Sequence, residues 1–177
     1  VADFEHAAQG TEDAAADTVL RFSLAGVQLK FSAIANATDG LTIPADGMGG
    51  SWIVKLPSTE FPAVPEHEFA MLELARAIGI DVPLLQLIPI DQIGGIPRGA
   101  GRLKGQALCV KRFDRSDDGA RIHMEDFAQV FGLYPDDKYR KRSYANIASV
   151  LNAEIGNAGI TDFVRRLVFS VLIGNGD

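Results

Sequence analysis

Residues 52–79, WIVKLPSTEFPAVPEHEFAMLELARAIG, pass from a strand-like to a helical rhythm within one short stretch, and that change decides the fold. WIVKLPS reads as a strand, which Pro57 ends because proline cannot continue a hydrogen-bonded ladder. Pro62 and Pro65 then deliver the chain to a helix over EHEFAMLELARAIG. There Phe69, Leu72, Ala75 and Ile78 recur at three-residue spacing, and Gly79 supplies the stop. Working upstream, ADGMGG (45–50) is a flexible turn, and TVLRFSLAGVQLKFSAIA (18–35) alternates around Ala25 and Gly26 as two strands joined by a tight loop. Downstream, LLQLIPI (84–90) and QALCVKRFD (106–114) read as a fourth and a fifth strand, separated by the glycine-rich connection DQIGGIPRGAGRLKG. After Asp114 the spacing is helical throughout, in MEDFAQVFG, SYANIASVLNAEIG and ITDFVRRLVFSVLIG. Strands with one helix, followed by helices alone, predict an α+β protein of two lobes. The expected divisions are an Ala-rich acidic lead-in over 1–17, a sheet-bearing lobe over 18–114 and a helical lobe beginning at 115–177.

The 177 residues are 47% hydrophobic, enough to fill a core. The longest apolar candidate, Phe163 to Ile173, is interrupted by Arg165 and Arg166 and is too short to cross a bilayer. The first residues carry no charged-then-apolar signal pattern. The lone Cys109 has no internal disulfide partner, and its setting predicts a buried strand thiol. These features favour a cytoplasmic globular protein. A net charge of −6 argues against extensive direct contact with nucleic acid. The chain starts on Val1 and ends on a Gly-Asn-Gly turn and Asp177, which reads as the middle of a larger protein.

Four features could carry chemistry. SLAGVQLK, Ser23 to Lys30, is a small-residue loop that could aim backbone N–H groups at a phosphate, although it has neither Walker A nor GxGxxG spacing. Lys55 lies between Val54 and Leu56 and needs either solvent or an anion. Glu68, on the following helix, could reach back to it. Asp177 follows an apolar helix and could accept a proton or hold a metal. Taken singly, each has an ordinary reading: a turn, an exposed strand lysine, a helix-surface glutamate, a solvated aspartate. KYRKR (138–142) reads as a solvated charged loop. His123, Glu125 and Asp126 resemble a metal cluster only superficially, and Asp126 is expected to cap a helix.

In order, the four features form the protein-kinase arrangement of phosphate loop, strand lysine, helix glutamate, hinge and loop aspartate. FSLAGVQLKFSA, WIVKLPS, EHEFAMLELARAIGIDVP, VKRFDR, MEDFAQVFGL and LIGNGD together resemble the HipA family, serine/threonine kinase toxins of bacterial toxin–antitoxin modules. The resemblance runs from about Val19 to Asp177. It implies a kinase-like fold, ATP and Mg2+ as cofactors, and Ser23 as an autophosphorylation site acting as an off-switch. It further implies that Ala25, Gly26, Val27, Gln28 and Lys30 lie over the phosphates, that Lys55 pairs with them, and that Glu68 orients Lys55. Lys111, Arg112 and Phe113 match the hinge that holds adenine, with Asp114 near the ribose and Asp177 as the catalytic proton acceptor.

The family's Asn and second Asp, which bind the metal, fall beyond Asp177, so no metal ligand is assigned, and the 177 residues alone are expected to lack phosphoryl transfer. The implied substrate is a protein such as an aminoacyl-tRNA synthetase, with growth arrest or persistence as the outcome. The implied partner is a HipB-type antitoxin, which would carry the only contact with DNA. A non-catalytic module binding that antitoxin, and a generic α+β domain with no nucleotide site, stand as alternatives.

Overall fold

The computed structural model describes residues 29–36, 40–45, 49–58, 61, 63–97, 100–116, 118–137 and 140–175. The elements are β1 (Lys30–Ala35), β2 (Leu41–Thr42), β3 (Trp52–Lys55), α1 (Val64–Ala77), β4 (Leu85–Pro89), β5 (Ile93–Gly94), β6 (Gln106–Lys111), α2 (Phe127–Val130), α3 (Tyr144–Glu154) and α4 (Asn157–Leu172). The sheet runs β4-β6-β3-β1-β2-β5. Its pairings are antiparallel except β2 with β5, which is parallel, so the sheet is mixed.

Successive strand residues face opposite sides, and residues directly across a ladder share a face. Phe31 and Ala33 of β1 therefore share a face with Val54 and Trp52 of β3 and with Cys109 of β6. All five are buried and join Leu41, Ile43, Leu56, Ile88, Ile93 and Ala107 in the main core. Cys109 is buried in its strand, as its setting predicted, and burial pushes its thiol up to about 12, which favours the protonated form. The opposite face carries Leu108 and Leu85, which are buried together with Ala75 and Ile80. Helix α1 packs here, against β6 and β4.

Helix α1 starts two residues before the expected Glu66, because Pro65 occupies its first turn, where no N–H is needed. It ends as predicted at Gly79, whose φ of +82° allows Ile80 N–H to reach Ala75 O at 3.0 Å and Gly79 N–H to reach Arg76 O at 3.0 Å, a Schellman closure. Of the four spaced apolar residues only Ala75 is buried, and Ile78 stays 48% exposed. Two strands escaped the pattern reading. β2 and β5 are two residues each, too short to show alternation, and β5 lies inside the stretch read as a connection.

Among the helices beyond Asp114, α2 is a single short turn. Asp126 caps it as expected, accepting from Gln129 N–H at 2.8 Å while Gln129 Oε1 accepts from Asp126 N–H. Tyr144 and Phe163 join α3 to α4 with ring centroids 6.2 Å apart. Val164, Val168, Val171 and Leu172 of α4 remain exposed. No helix among the described residues is long and apolar enough to cross a membrane.

Candidate functional site

The register of three strands builds a strip along the face that α1 covers only in part. Lys30, the first residue of β1, is the direct cross-strand partner of Lys55, the last residue of β3. Two like charges placed opposite each other repel unless an anion lies between them. One carboxylate does so for one of them: Glu68 of α1 accepts from Lys55 Nζ, and both side chains are about a quarter exposed, at 24% and 29%. Lys30 makes no ion pair among the described residues. The pair and the extra lysine therefore leave net positive charge at this end of the strip.

Moving along the face, Ser32 sits opposite Ile53 and Ile53 opposite Val110. Ile53 and Val110 are half-buried, an apolar surface left partly open beside α1. Beyond them the chain leaves β6 at Lys111. The N–H of Lys111 donates to Leu84 O at 2.9 Å and that of Arg112 to Ser51 O at 2.8 Å, which fixes this segment against β4 and the turn before β3.

The strip ends at an acidic group clamped by two arginines. Arg112 Nε and Nη2 donate to Asp114 Oδ1 and Oδ2 at 2.8 and 2.6 Å, a bidentate pair, and Arg115 Nη1 adds a bond to Oδ2 at 2.7 Å. Hydrogen bonding to Arg112 holds the Asp114 carboxyl down at about 2, against an ordinary 3.8, with the charges of Arg112 and Arg115 adding to it. Because the folded value is depressed, the stabilisation is complete above about pH 4 and is lost as pH falls towards 2. Wild-type protein should therefore lose stability to denaturant between pH 4 and 2. Asp114→Asn should be less stable at pH 7 and show a flatter profile over that window, and parallel pH profiles would contradict this account.

The structure thus brings Lys30, Lys55, Glu68, Arg112 and Asp114 onto one side of the sheet. Lys111 lies on the other side, by alternation with Val110, and Phe113 is 67% exposed. Ser23, Ala25, Gly26, Val27, Gln28 and Asp177 lie outside the described residues. Sequence reasoning missed Arg115 and Ser32. The Arg-x-Asp-Arg spacing in KRFDR was the available signal for Arg115, since it flanks one carboxylate with two guanidinium groups.

Cationic side chains, an apolar surface and a carboxylate acceptor gathered on one side of the sheet can take a ligand that carries phosphates, a flat ring and hydroxyl groups. Comparison with known proteins matches residues 22–177 to the HipA-like C-terminal domain. The chain belongs to the HipA family. Two relatives in Sinorhizobium fredii carry the names "Putative kinase Y4dM", 61% identical over 160 residues, and "Putative kinase Y4mE", 34% identical over 169 residues. Each match covers 89% of this chain, and the chain spans 39% and 37% of their lengths. The HipA of Shewanella oneidensis, solved with HipB and its operator DNA, superposes with a TM-score of 0.65 at 26% identity, over 89% of this chain and 38% of that one. The α+β, kinase-like architecture is therefore that of HipA.

Proposed function

We propose that this HipA-family chain contributes the nucleotide-binding lobe of an ATP-dependent serine/threonine protein kinase. The observation that carries the reading is the cross-strand apposition of Lys30 and Lys55, with Glu68 of α1 accepting from Lys55. Two ammonium groups facing each other on one sheet surface fit a polyphosphate better than they fit one carboxylate. In this reading Lys55, held by Glu68, neutralises phosphate oxygens, while Lys30 adds a second positive charge. Ile53 and Val110 pack against the adenine, and Asp114 accepts from a ribose hydroxyl. The relatives named as kinases support the same assignment.

ATP supplies the phosphoryl group, and magnesium supplies charge neutralisation during its transfer. We assign magnesium no ligand among the described residues. Ser23 as a self-modified residue, Asp177 as proton acceptor, a protein substrate and a HipB-like DNA-binding partner complete the proposal. The last is supported by the company in which the Shewanella oneidensis protein was solved. Incubating the full-length protein with magnesium and labelled ATP should place phosphate on the peptide containing Ser23, identified by mass spectrometry. ATP binding without any phosphoserine or phosphothreonine product, on itself or on candidate proteins, would reduce the reading to nucleotide binding alone.

A further inference from the structure

Arg112 makes more contacts than a hinge residue acting through its backbone requires. Its side chain is only 10% exposed. Besides the two parallel bonds to Asp114, Nη1 donates to Ser32 Oγ at 3.3 Å, eighty residues away on β1. Ser32 is itself 2% exposed, and its hydroxyl donates to Gly49 O in the turn before β3. One guanidinium therefore links the segment after β6, the strand β1 and the β2–β3 turn across the sheet face that carries Lys30 and Lys55. Arg112 falls on that face because it continues the alternation Leu108, Val110.

We propose that Arg112 is a positioning residue for ribose recognition. It fixes the Asp114 carboxylate, ionised and in one orientation, against β1, so that the carboxylate can only accept a hydrogen bond. The inference rests on the nucleotide-binding reading above. Its physical basis is geometric. A planar fork making two parallel bonds removes the rotation about the carboxyl axis that a single ammonium contact would permit. The third arm, to Ser32, then sets the distance from that carboxylate to the strand that bears Lys30. Such an acceptor favours a sugar that presents a hydroxyl, because a sugar without one leaves the carboxylate's remaining acceptor position desolvated with no donor.

The test compares affinities of the full-length protein for ATP and for 2′,3′-dideoxy-ATP by calorimetry. Wild type should prefer ATP by roughly tenfold or more, the scale of one hydrogen bond to a charged group. Arg112→Ala should bring the two affinities to within about twofold, by weakening ATP while leaving dideoxy-ATP nearly unchanged. Arg112→Lys keeps the charge and volume but not the fork, and should lose the preference as well while melting close to wild type. A preference that survives in either folded variant overturns the positioning role. Equal weakening of both nucleotides does so too, because it marks a purely structural contribution. Wild-type protein that binds neither nucleotide overturns the nucleotide-binding reading instead, a result distinct from both.

Discussion

Lys55→Ala in the full-length protein should weaken ATP binding about a hundredfold while leaving the fold intact. The size follows from what the lysine faces. Removing one member of a charged, hydrogen-bonded contact with a bound ligand costs about 2–5 kcal/mol, and a quarter-exposed side chain belongs towards the lower end. The fold tolerates the change because the contact with Glu68 is partly open to water, where an ion pair contributes no more than about 1 kcal/mol. The apolar core lies on the other face of the sheet and loses nothing: Val54 and Leu56, the neighbours of Lys55, are buried there at 0% and 1%. Glu68→Gln should weaken ATP less, since it orients the lysine without touching the phosphates. Calorimetry with melting curves on the same samples checks both. Unchanged ATP affinity in a folded Lys55→Ala protein would remove this residue from the nucleotide site.

The strand lysine and helix glutamate were legible in the sequence because both sit on elements with strong local signals. A strand closed by Pro57 and a helix closed by Gly79 fix where Lys55 and Glu68 start and leave little freedom in how they meet. What no local pattern could supply is register. Nothing in KFSAIA states that Lys30 must face Lys55, because that pairing depends on where β1 stops sliding along β3. The same holds for Ser32, an inconspicuous hydroxyl until Arg112 approaches from eighty residues away. The short strands β2 and β5 escaped for another reason. Their position comes from tertiary hydrogen bonds, such as Ile43 N–H to Gly94 O at 2.9 Å, and not from propensity. The helices after Asp114 were visible as helices, yet their packing was not. Periodicity announces an apolar face without saying what covers it, and Val168 and Leu172 illustrate this by remaining exposed.

Register is also where the largest loss of stability should arise. Gly49 and Gly50 precede β3 with nearly the same backbone angle, φ +84° and +85°, so alanine at either is strained to a similar degree. Their surroundings differ. A Cβ at residue 49 meets nothing within 4 Å, whereas one at residue 50 would stand 2.2 Å from Ala33 O and 2.6 Å from Ala33 C. These are backbone atoms of β1, and Ala33 is paired with Trp52 in the ladder, so no side-chain rotation can relieve the overlap. The chain must shift β1 against β3 or open their last pair. Gly49→Ala should therefore cost about 1 kcal/mol, the left-handed penalty alone. Gly50→Ala should cost about 3 kcal/mol or more, the same penalty with the overlap added. Urea midpoints of the two variants in one protein give the comparison. Function should follow the same order, because displacing β1 moves Lys30 relative to Lys55 and pulls Ser32 from Arg112. Folded Gly50→Ala protein should bind ATP more weakly than Gly49→Ala. Equal midpoints for the two would mean that the ladder yields at Ala33 without cost, and that the register holding the two lysines together is softer than the backbone contact implies.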